Sequence, residues 1–255
     1  MTLKAESVRF SYGGTEVLKG IDLELGTGVN AILGPNGAGK STFVKCLAGV
    51  HQPSSGSASF NGEDLIRRDP YKVNMSYMAQ DMPKVSNLTV LEFMILGRAQ
   101  ELGLKLSGDD IDTAYAPLKK LGIESFADRN VSELSGGQAQ MVMIAQCLVS
   151  DPDLMILDEP MNNLDLRREL EIFEIIRNEH AERELTTVMV LHDLNFAARY
   201  ADNVAVLSDG QVYSVGKPAE VITSEMLRDV YSVEAEVTIN SKGYPVVDPI
   251  RSIKE

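Results

Sequence analysis

The run Gly34-Pro35-Asn36-Gly37-Ala38-Gly39-Lys40-Ser41 constrains this chain more than any other feature it has. It satisfies G-x-x-x-x-G-K-[ST], and it stands where that pattern has physical meaning. The apolar stretch Val29-Asn30-Ala31-Ile32-Leu33 before it reads as an inner strand. A helix is expected to start around Lys40 and run through Leu47, stopping at Gly49. Between strand and helix, glycines 34, 37 and 39 let the backbone curl so that successive N–H groups face phosphate oxygens, and the helix start adds its positive end. In that setting Lys40 reaches β- and γ-phosphates, Ser41 ligates Mg²⁺ and Thr42 contacts the α-phosphate, so the ligand read from these residues is ATP.

A second cluster stands at the end of another apolar strand, Leu154-Met155-Ile156-Leu157, which delivers Asp158 and Glu159 to its C-terminal edge. Ligands bind at that edge in parallel sheets. Asp158 is suited to hold Mg²⁺ and Glu159 to orient and deprotonate a water. A third feature, Leu134-Ser135-Gly136-Gly137-Gln138, opens a helix running to about Leu148, with Ser135 as a good N-cap residue and the turn itself an anion-binding design.

Along the rest of the chain, Ile21-Asp22-Leu23-Glu24-Leu25 alternates as a half-buried strand. Pro53-Ser54-Ser55-Gly56 reads as a turn, and Asn61-Gly62 and Asp209-Gly210 as tight hairpins. Thr89-Val90-Leu91-Glu92 is a capping box, and further helices are expected at 111–121, with a possible kink at Pro117, and at about 167–182. Strands are expected at 187–191 and 204–207. Apolar strands alternating with helices indicate an α/β fold: a P-loop NTPase core with a parallel-rich sheet, an N-terminal antiparallel β portion and an inserted helical subdomain. The expected boundaries are 1–86 with 151–230 for the ATP-binding core and 87–150 for the helical block. Residues 231–255 are expected as a small, weakly patterned appendage.

The order of features, P-loop, then Ser135–Gln138, then Asp158-Glu159, resembles that of ABC-type ATPases over nearly the whole chain. The resemblance implies roles that the residues alone would not. Tyr12 falls where the family places an aromatic that stacks on adenine, and Gln80, after Ser76-Tyr77-Met78-Ala79, matches the glutamine that bridges Mg²⁺ and water. Asp165, in Asn162-Asn163-Leu164-Asp165, matches an aspartate that communicates across a dimer, and His192 matches a histidine that contacts the γ-phosphate. In the family the pentapeptide of one subunit closes over the P-loop of another, so the resemblance implies a second copy of this chain as partner. Two departures stand out. The stretches Gln138-Ala139-Gln140-Met141 and Ala145-Gln146-Cys147-Leu148 lack three arginines common in relatives, and Met161-Asn162-Asn163 replaces small or hydroxyl residues.

Composition excludes some classes. With 24 Lys and Arg against 37 Asp and Glu, the net charge of −13 repels nucleic-acid phosphates, so no nucleic-acid partner is expected. No stretch approaches the roughly 20 apolar residues of a membrane helix, and Met1-Thr2-Leu3-Lys4-Ala5-Glu6 has no signal-peptide core. The expected location is the cytoplasm, peripheral on the inner membrane face through a partner. Cys46 and Cys147 read as buried reduced thiols, and His51 and His180 match no motif and read as surface residues.

Finer resemblance bears on what the ATP is used for. The segments Leu191-His192-Asp193-Leu194-Asn195-Phe196-Ala197-Ala198-Arg199-Tyr200-Ala201-Asp202, 216–222 and 243–247 are similar to ATPase subunits of ferric siderophore, haem and cobalamin importers. That implies membrane permease subunits as partners and, indirectly, an extracytoplasmic binding protein. Two other readings stay open: a soluble ABC ATPase outside transport, such as one serving iron–sulfur cluster assembly, and a nucleotide-binding regulator without turnover. Intact Lys40, Asp158, Glu159 and His192 speak against the latter.

Overall fold

The computed structural model describes residues 1–66, 72–82, 87–98 and 106–253. In chain order the elements begin with β1 (Thr2–Tyr12), β2 (Thr15–Gly26), β3 (Gly28–Leu33), α1 (Lys40–Leu47), β4 (Ser55–Phe60) and β5 (Glu63–Asp64). Next come β6 (Met75–Met78), α2 (Val90–Leu96), α3 (Gly108–Lys120), α4 (Gly136–Leu148), β7 (Leu154–Asp158) and α5 (Leu166–Glu182). The chain continues with β8 (Thr186–Val190), α6 (Leu194–Tyr200), β9 (Asn203–Ser208) and β10 (Gln211–Gly216). It ends with α7 (Pro218–Val221), α8 (Ser224–Tyr231), β11 (Val233–Ile239) and β12 (Pro245–Ser252). These elements fall into two compact units, Met1–Val73 with Thr186–Glu255, and Asn74–Leu185.

In the first unit β3 is buried along nearly its whole length because it has a parallel neighbour on each side, β8 and β9. Ala31 pairs with Met189 on one flank and Val204 on the other. A strand sandwiched this way has no wet face, which is why its sequence is continuously apolar. β2 keeps the alternation read from its sequence, with Ile21, Leu23 and Leu25 buried and Asp22 and Glu24 exposed. It pairs antiparallel with β1, which pairs antiparallel with β4 on its other edge. Asn61 and Gly62, both left-handed at φ 52 and 84, close β4 onto β5 with Phe60 opposite Glu63. This is the primed turn that hairpin twist favours. Asp209 and Gly210 do the same between β9 and β10. The segment 53–56 differs from its expected turn, since β4 already begins at Ser55.

The C-terminal segment is more regular than its sequence pattern predicts. β11 and β12 form an antiparallel pair, with α8 packed on β11 and α6 on β12. Asn195 of α6 acts as a substitute strand edge: its side chain accepts the Val247 N–H at 2.8 Å and donates to the Val247 carbonyl at 3.3 Å.

In the second unit β6 and β7 run parallel, with Met78 opposite Leu157, and the connection between them carries α2, α3 and α4. Part of the expected 87–150 block, residues 99–105, lies outside the described residues. Each of these helices opens on a capping box: Thr89 with Glu92, Ser107 with Asp110, and Ser135 with Gln138. The Ser107 cap starts α3 at Gly108, ahead of the expected Ile111, which is exposed. On α5, Ile172, Phe173 and Ile176 are buried, and Glu179 is held by Lys120 and Arg183. Among the described residues no helix is long and apolar enough to cross a membrane. Cys46 and Cys147 are free and buried, and burial pushes both thiols up to about 12.

Candidate functional site

The P-loop leaves the buried end of β3. At Gly34, φ is +146 and an added Cβ would run into the Leu207 carbonyl, so side chains are excluded there by backbone conformation and by space. Lys40 turns back into the loop and donates its ammonium to the carbonyls of Gly34 at 2.7 Å and Pro35 at 3.0 Å. Only 5% exposed, it is a buried cation held by main-chain oxygens. Ala38 is pinned from the other side, its carbonyl accepting the Gly210 N–H at 3.3 Å. Asn36 and Gly37 form the exposed crest of the loop. Helix α1 then starts after Gly39 with no side-chain cap and no acidic residue in its first turn, where Ser41 and the buried Thr42 stand. A helix start of that kind, beside a buried ammonium, suits an anion with several oxygens.

Residues far away in sequence also hold this loop. The hydroxyl of Tyr231, the last residue of α8, accepts the Gly34 N–H at 2.8 Å. Burial pushes that phenol up to about 12. Nothing in the residues around Tyr231 signals this contact. His192 follows β8, whose register with β3 brings Ile32 opposite Val190, so the histidine and the P-loop leave adjacent parallel strands at the same edge. Leu191 beside it donates its N–H to the Ile32 carbonyl at 3.2 Å.

Tyr12 ends β1 and is 46% exposed. It is not alone there. Its hydroxyl is 2.7 Å from His51 Nε2, the His51 ring stacks on Phe10 at 4.9 Å, and Phe10 meets Tyr12 edge-on at 4.8 Å. His51 is therefore a half-buried member of an aromatic cluster rather than a plain surface residue.

The second unit gathers the carboxylates. Asp158 ends β7 fully buried, and Glu159 follows with a left-handed φ of 54. Because β6 and β7 are parallel, Gln80 emerges beside them, and its Nε2 donates to Glu159 Oε2 at 2.9 Å. Two amides absent from the sequence reading of the site join this group. Asn162 donates to the same Oε2 at 2.6 Å, and Gln140 donates to the Glu159 carbonyl at 3.0 Å. Ser135 caps α4 by accepting the Gln138 N–H at 3.4 Å, while Gln138 Oε1 accepts the Ser135 N–H at 3.0 Å. Gly136 and Gly137 form the first turn of that helix, against the backbone and side chain of Asn163. Asp165 caps α5, accepting the Arg168 N–H at 2.9 Å. Of the missing arginines, one position holds Met141, buried, and another Gln146, whose Nε2 donates to the Phe93 carbonyl of α2 at 2.8 Å.

Within the second unit, the Asp158 carboxylate and the Gln80 amide offer hard oxygen donors of the kind a divalent cation such as Mg²⁺ takes. Among the described residues no group of three His, Cys, Asp or Glu side chains is arranged to hold a metal.

A phosphate loop, a capped Ser-Gly-Gly helix start and a strand ending in Asp-Glu define a nucleotide-hydrolysing cassette, and comparison with known proteins identifies which kind. The profile of the ABC transporter family matches residues 18–162. An uncharacterised ABC transporter ATP-binding protein of Methanocaldococcus jannaschii is 38% identical over 253 residues, covering 98% of each chain. The petrobactin import ATP-binding protein FpuD of Bacillus anthracis is 34% identical, covering 97% of this chain and 93% of its own. The hemin import ATP-binding protein HmuV of Thermobifida fusca is 35% identical, covering 98% and 89%. Among solved structures, an inward-facing metal-chelate type ABC transporter shares the fold with a TM-score of 0.82, at 24% identity and 98% coverage of both chains. The dimeric structure of a bacterial ABC transporter cassette matches with a TM-score of 0.76 at 27% identity, covering 84% of this chain and 98% of its own. The chain belongs to the ABC transporter family, as an ATP-binding subunit that hydrolyses ATP in support of transport.

Proposed function

We propose that this chain is the ATPase subunit of an importer for an iron complex, haem or cobalamin, working as a head-to-tail pair of copies on membrane permease subunits. The observation that carries this reading is similarity along almost the full length to import ATP-binding proteins, at 34% identity for the petrobactin protein. The hemin import relative supports the same class of cargo. An extracytoplasmic binding protein would deliver the cargo, and this chain would be peripheral on the inner membrane face. Residues 1–86 with 151–230 serve as the ATP-binding core, 87–150 as the helical signature subdomain and 231–255 as an appendage.

In this reading Gly34, Pro35, Asn36, Gly37, Ala38 and Gly39 wrap the phosphates, Lys40 neutralises the β- and γ-phosphates, and Thr42 contacts the α-phosphate. Tyr12 stacks on adenine. Mg²⁺, when bound, spreads the phosphate charge, and Ser41, Gln80 and Asp158 supply oxygen donors for it. Glu159 takes a proton from water as the water oxygen bonds to the γ-phosphorus and the bond to the β-phosphate oxygen breaks, releasing ADP and phosphate. His192 contacts the γ-phosphate. Ser135, Gly136, Gly137 and Gln138 of the second copy seal the site, and Asp165 reports across the pair.

Calorimetry and steady-state hydrolysis test these roles. Lys40→Ala is expected to abolish tight ATP binding. Glu159→Gln is expected to keep binding while turnover falls by roughly a hundredfold or more, the usual scale for losing a general base. Unchanged affinity in the first variant, or wild-type turnover in the second, would remove the residue from its role.

A further inference from the structure

Glu159 lies one residue beyond β7 with φ +54, a backbone region that residues with a side chain occupy at a cost. Such a conformation persists where the surroundings over-determine it, and here the surroundings are carboxamides. Gln140, 4% exposed in α4, donates to the Glu159 carbonyl at 3.0 Å and fixes the main chain in its turn. Asn162 adds its own N–H to that carbonyl at 3.3 Å, and its side chain donates to Glu159 Oε2 at 2.6 Å. Gln80 donates to the same oxygen at 2.9 Å.

The two donors on Oε2 differ in what they move with. Gln80 belongs to the segment after β6, 79 positions away from Glu159 in sequence. Asn162 is three positions away in the same turn, so any displacement of Glu159 carries it along. The backbone of the next residue, Asn163, lies against Gly137 of the Ser135–Gln138 turn, where an added Cβ would come within 2.9 Å of the Asn163 carbonyl.

We propose that Asn162 is a positioning residue for Glu159: a local clamp that keeps the carboxylate in place whichever partner Gln80 has, seated on the turn that carries Ser135. The proposal rests on Glu159 being the group that activates water. It places the effect of Asn162 in the chemical step rather than in binding, because both its side chain and its backbone N–H are bonded to Glu159.

The test is Asn162→Leu, which keeps the size of the side chain and removes the donor, assayed with Mg-ATP alongside calorimetry. Losing a hydrogen bond to a charged group predicts a fall in kcat of roughly tenfold or more, with KM and ATP affinity within about twofold of wild type. Asn162→Ser, which retains a donor, recovers part of the loss. Asn162→Asp has the native shape but sets a second negative charge against the carboxylate, and it falls at least as far as the leucine variant. Wild-type kcat in the leucine variant, or full activity in the aspartate variant, overturns the clamp. Glu159→Gln is measured in parallel: full turnover there defeats the base itself, whereas an inactive glutamine variant beside an active leucine variant defeats the clamp alone.

Discussion

Gly34 spends its N–H on Tyr231, a residue that reaches the P-loop from the opposite end of the chain. Burial moves the ionisation of that phenol from 10.0 up to about 12, while the N–H it accepts from Gly34 pulls the other way. A pKa raised in the folded state means that the buried phenol's contribution to stability is complete below pH 10.0 and is lost as pH climbs through about 12. Tyr231→Phe keeps the ring and removes the hydroxyl, leaving the Gly34 N–H unpaired at a cost of about 1–3 kcal/mol. Unfolding followed between pH 9 and 12 should show the wild type losing stability in that window, and the phenylalanine variant less stable at neutral pH with a shallower loss. Equal stability at neutral pH would show that the hydrogen bond contributes nothing, and equal slopes that burial of the phenol does not set the alkaline loss. His51 makes a related point, because a side chain without a motif holds the Tyr12 hydroxyl at 2.7 Å.

At the scale of elements, what was legible in the sequence was local. The bounds of α1, the Thr89–Glu92 cap and the Asn61-Gly62 and Asp209-Gly210 turns each depend on a few adjacent residues, and each stands where the pattern puts it. What was not legible depends on distant partners. β12 carries prolines at 245 and 249 and alternates burial only at Pro245 and Val247, so its strand character comes from pairing with β11 and from Asn195. Asn162 and Gln140 lie in stretches compared with the family pattern and take no role from that comparison, yet both converge on Glu159. The start of α3 did have a signal, Ser107 with Asp110, though an aspartate at that position is a weaker form of the capping box than glutamate. On α2, Phe93 and Met94 are buried while Leu96 is 51% exposed at the C-terminal end. If the surface around Gln80 and Leu88–Leu96 receives a helix of the permease, Leu96→Glu should abolish cargo uptake in cells while the purified chain still binds ATP normally. Normal uptake by that variant would place the permease elsewhere.

For the whole molecule, one chain supplies one P-loop and one Ser135–Gln138 turn. In the proposed head-to-tail arrangement these two features meet on different copies, so a single chain would hold half of each of two sites. The chain is a member of the ABC transporter family and hydrolyses ATP. In the proposed mechanism ATP acts as a reversible clamp between two copies, opened by hydrolysis through Glu159. Size-exclusion chromatography with light scattering on Glu159→Gln tests that claim most directly. With Mg-ATP the variant should run as a dimer that reverts to monomer when ATP is replaced by ADP, while Lys40→Ala stays monomeric throughout. A Glu159→Gln chain that binds ATP and remains monomeric under those conditions would contradict it.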